Sequence, residues 1–287
     1  MSNIHTFGDS LNNKGVGIQN SNSISSRNDS IIQPSLYKIK TITSIIMILN
    51  IFSYIIQLIT FYSYFEKNNN NWSCLILTLG AFQAGKIKNH NQYFRFFSSM
   101  FLHNSIAHLG SNSISLFFLG YQTENEINNK IQYLILYLIS GLEGNFMSIL
   151  FNQTSLSVGA SGAIIGLCGN FVIFFLMNYR QMSQRQKYSY GIMFLILFMN
   201  LFSGLSEGGE NINMASHIGG FLGGFAYSII LKFKNPQLRQ NNVLAKRMYF
   251  CSVLFLFLLP FIASAVVAYK KVSDFSEFIF WINRTKY

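Results

Sequence analysis

The chain has 287 residues, of which 50% are hydrophobic and only 11% are charged. Soluble domains carry about 25% charged residues, so this composition excludes an ordinary soluble enzyme and favours a protein embedded in lipid. The net charge of +11 does not indicate a nucleic-acid partner. The basic residues lie beside the ends of hydrophobic segments, where they serve as topology signals and contact anionic membrane lipids.

The N-terminal segment, residues 1–40, is rich in Ser and Asn and has no apolar stretch that could form a signal-peptide core. It also has too few Arg residues for a mitochondrial transit peptide. We therefore predict a disordered tail. If this tail is cytosolic, the tail and the loops on its side of the membrane together hold the larger share of Lys and Arg, as the positive-inside rule expects.

Seven segments are predicted to span the membrane as helices. In chain order they are residues 42–65, 96–123, 131–151, 158–179, 188–206, 211–231 and 248–269. Only the third contains a Lys, Arg, Asp or Glu residue, namely Glu143. A spanning helix needs about 20 apolar residues, and these segments lack the alternating pattern of barrel strands. The sequence therefore predicts an all-α, polytopic membrane protein with seven transmembrane helices.

Polar residues lie near the starts of the second, fourth and sixth predicted spans, which run in the same direction. The second has His103, His108 and Asn112 near its start, the fourth has Ser161, and the sixth has His217. Residues one to two turns into such helices lie about 5 to 10 Å below the same membrane face, where unpaired polar groups are unfavourable. We therefore expect these side chains to contact one another.

Within this set, Ser161 and His217 form the simplest reactive pair, a serine nucleophile with an imidazole general base. The start of the fourth helix supplies the Ser161 amide and a favourable dipole, and His108 and Asn112 can add donors to an oxyanion hole. The chain's aspartates all lie in its terminal regions, so we predict a dyad rather than a triad.

Small residues would allow the fourth and sixth helices to approach closely. Gly159 and Gly162 flank Ser161, and Gly220 and Gly224 follow His217. Small residues at this spacing let helix backbones touch in membranes. Glycine and serine are also common in membrane helices for structural reasons, so the chemistry is favoured by the combination of motifs rather than by any single one.

Other enzyme classes lack the necessary residues. The sequence from His103 to His108 has no Glu for a metalloprotease HExxH site, and no predicted span contains an Asp for an aspartyl protease. The three cysteines show neither metal-binding spacing nor a disulfide framework. We expect neither a metal nor another cofactor.

The order of the motifs resembles the rhomboid family of intramembrane serine proteases over roughly residues 79–231. The resemblance is carried by LGA at 79–81, Phe94 and Arg95, the HxxxxHxxxN of His103, His108 and Asn112, Glu124, the GASG around Ser161, and the AxHxxGxxxG around His217. It implies that Ser161 is the nucleophile, His217 the base, and His108 and Asn112 the oxyanion stabilisers. Arg95 would belong to a membrane-surface loop.

The resemblance also implies an architecture and a function. Residues 41–232 would form the six-helix catalytic core, and residues 233–287 a cytosolic linker, a seventh helix and a short lumenal or extracellular tail. This arrangement is similar to rhomboids of the secretory pathway, so we expect a location there or in the plasma membrane. The expected activity is cleavage of single-pass transmembrane proteins. The alternative is an inactive rhomboid-like protein that binds client helices for trafficking or quality control.

Two residues depart from the family pattern, and the first is Phe94, which stands before Arg95 where the family often has Trp. Rhomboids typically have an aromatic residue one turn after the serine, packed under the histidine, where this chain has Ile165. A ring face stabilises a nearby cation by roughly 0.5 to 2 kcal/mol. We therefore expect Ile165 to lower the reaction rate.

Overall fold

The structure, a computed structural model, describes residues 41–65, 71–151, 156–203, 213–234, 236 and 242–269. The predicted N-terminal tail and the C-terminal tail lie outside these ranges. The described residues form ten α-helices. They are α1 (Thr41–Thr60), α2 (Trp72–Leu79), α3 (Ala84–His90), α4 (Arg95–Ser98), α5 (Ile106–Ile127), α6 (Lys130–Phe151), α7 (Ser161–Asn178), α8 (Gln184–Ser203), α9 (Met214–Lys232) and α10 (Val243–Tyr269).

The predicted all-α, polytopic fold is confirmed. Five of the described helices, namely α1, α6, α7, α9 and α10, are long and apolar enough to cross a membrane. The helices α5 and α8 have 22 and 20 residues but a more polar composition. The first carries the polar residues of the candidate site and two glutamates, and the second begins with Gln, Arg, Gln and Lys. The count of seven spans therefore stays a prediction.

The centre of the bundle is built on contacts between helix backbones. Helix α9 packs most extensively against α6 and α7. A Cβ atom on Gly220 would overlap the carbonyl group of Gly162, and one on Gly224 would overlap the carbonyl group of Gly166. The close approach predicted from the small-residue spacing is therefore present, and it brings the start of α7 beside the first turns of α9.

The segment between α1 and α5 differs from its prediction. The sequence indicated a loop followed by a single span over residues 96–123, but α2, α3 and α4 lie here and α5 begins only at Ile106. Ser105 is the N-cap: its backbone is extended and its hydroxyl accepts a hydrogen bond from the His108 amide at 3.1 Å. Because Ser105 caps the helix, α5 begins after the irregular segment. His103 therefore lies before α5, although the predicted span 96–123 included it.

Glu124 on α5 fixes the start of α1. Its carboxylate accepts hydrogen bonds from the backbone N–H groups of Ile42 at 3.2 Å and Thr43 at 2.9 Å, and from the Thr43 hydroxyl at 2.8 Å. The first amides of a helix have no partner within the helix, and a negative charge there is favoured by the helix dipole. Glu124 is therefore a structural residue that joins α1 to α5.

Candidate active site

Ser161 and His217 lie within hydrogen-bonding distance. Ser161 is the first residue of α7, at the very start of the helix rather than within its first turns, and His217 lies one turn into α9. The Ser161 Oγ and His217 Nε2 atoms are 3.0 Å apart, and the contact is partly buried. The pair that the sequence predicts is thus brought together with the geometry of a nucleophile and its general base.

Asn213 positions the first turn of α9, which carries His217. It is the N-cap of that helix, and its Oδ1 accepts a hydrogen bond from the Ser216 amide at 3.1 Å. Its Nδ2 donates to the Ser148 hydroxyl of α6 at 2.8 Å. Asn213 was not predicted as a site residue, although an Asn just before an apolar helix is a typical N-cap signal.

The residues leading to Ser161 are fixed by backbone hydrogen bonds. Phe82 and Ser157 form an antiparallel bridge, with N···O distances of 2.9 and 3.0 Å. Gly159 donates its N–H to the Ser99 carbonyl at 2.9 Å and has a φ of +124°, a conformation that L side chains rarely adopt. A glycine is therefore required two residues before Ser161, because the chain must turn there to enter α7.

His108 and Asn112 reach this turn from α5. A Cβ atom on Gly159 would lie 2.8 Å from His108 Nε2 and 3.4 Å from Asn112 Nδ2. The Asn112 Nδ2 atom is buried and has no hydrogen-bond acceptor among the described residues. A buried donor without an acceptor is destabilising, so its presence beside Ser161 suits a site where a negatively charged oxygen forms during a reaction.

The start of α7 supplies backbone donors to the same place. Its N-cap, Ala160, provides no side-chain hydrogen bond. Ile164 is the first residue whose N–H bonds back into this turn, to the Ala160 carbonyl at 3.0 Å. The earlier amides, including that of Ser161, have no partner within the helix and lie at the positive end of its dipole, as the sequence analysis expected.

His103 lies beside His108 and does not reach the dyad. Its ring is fully buried and meets the His108 ring edge to face, with 5.3 Å between the centroids. Among the described residues, no group of three or more His, Cys, Asp or Glu residues is placed to hold a metal ion. We therefore assign His103 to the support of His108.

Arg95 is buried in the segment between α1 and α5, and its expected place at the membrane surface stays a prediction. It begins α4, and its guanidinium donates to the backbone carbonyls of Leu77 and Ala81, both at 2.8 Å. Its Nε also donates to Gln92 Oε1 at 2.7 Å. A planar guanidinium can satisfy several acceptors at once. Arg95 therefore ties the short helices before α5 together and is structural.

The imidazole of His217 contacts Ser161 through its Nε2 atom. Its Nδ1 atom is buried without a hydrogen-bond partner in the described part of the chain. Ile165, one turn after Ser161, is partly buried, and within the same described ranges no aromatic ring packs against His217. No other described aromatic residue therefore takes the place of the ring that rhomboids typically pack under the histidine.

The chain is similar in sequence to a known protein family and to several curated relatives. Residues 90–233, about half of the chain, match a family model described as Rhomboid domain. RHOMBOID-like protein 2 of Arabidopsis thaliana is 36% identical over 176 residues, 60% of this chain and 54% of the relative. Rhomboid-like protease 3 of Toxoplasma gondii is 30% identical over 63% of this chain and 65% of its own length. Rhomboid protease GluP of Bacillus subtilis (strain 168) is 32% identical over 61% and 33%. The match thus covers between a third and two thirds of each relative.

Proposed function

Because the chain belongs to the rhomboid family, we propose that this multi-pass membrane protein is an intramembrane serine endopeptidase with a Ser161–His217 dyad. The observation that carries the proposal is the 3.0 Å separation of Ser161 Oγ and His217 Nε2. Two further features support it: the Asn112 donor beside Gly159, which has no acceptor among the described residues, and the first amides of α7, which have no partner within the helix. Two of the relatives carry the word protease in their names.

The proposed reaction begins with proton transfer from the Ser161 hydroxyl to His217 Nε2 while Oγ bonds to the substrate carbonyl carbon. The carbonyl oxygen becomes an oxyanion, which the Ser161 amide and the side chains of His108 and Asn112 stabilise. The C–N bond then breaks, and His217 passes its proton to the leaving amine. Water, deprotonated by His217, attacks the acyl carbon, and Ser161 leaves with a proton restored to Oγ.

The proposed substrates are single-pass transmembrane proteins, cut in or beside the spanning segment. A peptide bond inside a helix is hydrogen-bonded and surrounded by side chains, so small or helix-breaking residues would favour its exposure to Ser161. Water must also reach the site, and the polar starts of α5, α7 and α9 provide groups that can hold it. We further propose a cytosolic N terminus and a location in the secretory pathway or the plasma membrane.

The test is cleavage of a membrane-anchored substrate in liposomes by wild type, Ser161→Ala and His217→Ala. We expect product from the wild type alone. Ser228→Ala is a matched control, because Ser228 is a buried serine on α9 whose hydroxyl bonds to the Gly224 carbonyl, away from the dyad. This variant should cleave at the wild-type rate.

Labelling with a fluorophosphonate provides a second measurement, since the probe reacts with an activated serine. We expect the label on Ser161 in the wild type and in Ser228→Ala. Equal product from the wild type and both dyad variants would contradict the proposal. A folded wild-type protein with neither product nor label would favour the alternative of a client-binding protein without activity.

A further inference from the structure

A glutamine on the first spanning helix holds the backbone of a residue near the candidate active site. Gln57 Nε2 donates to the His103 carbonyl at 2.7 Å, and Gln57 Oε1 accepts from the His103 N–H at 3.0 Å. Both residues are fully buried, and they are 46 positions apart in the chain. We propose that Gln57 is a positioning residue for the oxyanion side of the active site. The inference rests on the proposed function.

The two hydrogen bonds of Gln57 give partners to the backbone N–H and C=O groups of His103, which lie outside any helix. His103 lies in the irregular segment before α5, so its N–H and C=O groups would otherwise be buried without partners. The side-chain amide of Gln57 has one donor and one acceptor side, which matches both groups of one residue at once. An apolar side chain of the same size could fill the space but could make neither hydrogen bond.

The hydrogen bonds between Gln57 and His103 lie close in the chain to the proposed oxyanion residues. His103 lies two residues before Ser105, the N-cap of α5, and His108 and Asn112 follow in the first two turns of that helix. A shift of the His103 backbone would therefore move the start of α5, and with it the two side chains that reach Gly159. Displacements of about 1 Å in a catalytic group can lower a rate by about 10²-fold.

The two ends of α1 have separate attachments, so the role of Gln57 can be separated from the general anchoring of the helix. Glu124 binds the amides at the start of α1, whereas Gln57 lies in its last turn. Asn50 lies between them on the same buried stripe and is 1% exposed. Its Oδ1 atom has no hydrogen-bond partner among the described residues. Asn50 therefore offers a matched control for removing a buried amide from α1.

The experiment compares Gln57→Met, which roughly keeps the volume of the side chain, with Asn50→Leu, which keeps the number of its non-hydrogen atoms. We expect Gln57→Met to lower kcat for substrate cleavage about tenfold with KM changed less than about twofold, because binding is kept while the donors are displaced. Asn50→Leu should keep both constants within about twofold of wild type. Gln57→Glu retains an acceptor for the His103 N–H and should fall between wild type and Gln57→Met.

A double variant separates positioning from loss of stability. If Gln57 acts through the oxyanion side, Gln57→Met should have little further effect on kcat in an Asn112→Ala background, since residues that act as a unit are not additive. Fully multiplicative losses, or an equal loss in Asn50→Leu, would overturn the inference. An active wild type with an unaffected Gln57→Met would overturn this inference alone. A wild type without cleavage would instead overturn the proposed function.

Discussion

Replacement of Asn112 by leucine should affect stability and activity in opposite directions. Leucine has the same number of side-chain non-hydrogen atoms as asparagine but no donor, so the change removes the buried Nδ2 group that has no acceptor among the described residues. Asn112 is only 6% exposed, and water therefore provides little compensation for the missing partner. In the resting enzyme this donor is unfavourable, whereas in the proposed reaction it faces a developing negative charge.

The magnitudes follow from these two states. An unsatisfied buried donor destabilises a fold by about 1–3 kcal/mol, so Asn112→Leu should raise the free energy of unfolding by up to that amount. Loss of one oxyanion donor weakens transition-state binding by about 2.7–4 kcal/mol, which corresponds to a fall in kcat of about 10²- to 10³-fold. The variant should therefore be more stable and nearly inactive.

Asn170 gives the matched control for this experiment. It is also a buried asparagine, 2% exposed, but its Nδ2 donates to Glu126 Oε2 at 3.0 Å. Asn170→Leu leaves that carboxyl group without one partner and should lower the free energy of unfolding by about 1–3 kcal/mol while leaving kcat close to wild type. Unfolding in detergent micelles and cleavage kinetics in liposomes measure the two quantities. A loss of stability in Asn112→Leu equal to that in Asn170→Leu would refute the reasoning, as would an unchanged kcat.

Three other changes test the packing and support of the dyad. Ile165→Phe adds a ring one turn after the serine and should raise kcat by roughly 2- to 30-fold, the equivalent of 0.5–2 kcal/mol; a lower rate would mean that no ring fits beside the imidazole. Gly220→Ala places a methyl group against the backbone of α7 and should lower kcat at least about tenfold, whereas Gly191→Ala, with open space around it, should not alter the rate. Asn213→Ala removes the N-cap before His217 and should lower the free energy of unfolding by about 1 kcal/mol, measured by denaturant unfolding, with a several-fold fall in kcat.

The contact between Ser161 and His217 could be predicted because the order of the spans and the glycine spacing limit which polar side chains can meet. Co-directional spans place Ser161 and His217 near the same membrane face, and glycines at regular spacing allow their helices to touch. Both constraints are periodic or follow from the order of spans, so they can be read from one sequence. The same reasoning placed His108 and Asn112 on the correct helix, and both reach Gly159.

The segment between α1 and α5 could not be predicted in this way. A run free of charged residues was interpreted as one span, but its first part is irregular, and the N-cap at Ser105 is a local signal that the long apolar run obscured. Arg95 was expected in a membrane-surface loop because of the family resemblance. Its burial depends on the carbonyl groups of Leu77 near the end of α2 and of Ala81 just after that helix, and no sequence period indicates such contacts.

These missed contacts share one physical feature: each uses a polar side chain to bind backbone groups at the end of a helix or between helices. Gln57 binds the backbone of His103, Asn213 binds the first turn of α9, and Arg95 binds the end of α2. In lipid every such backbone group needs a partner, so irregular chain at this depth requires dedicated side chains. The proposed hydrolytic site also depends on the turn before α7, because a helix has amides without an intrahelical partner only in its first turn. The side chains that support the backbone around the dyad are therefore the ones whose replacement should change kcat without contact with the substrate.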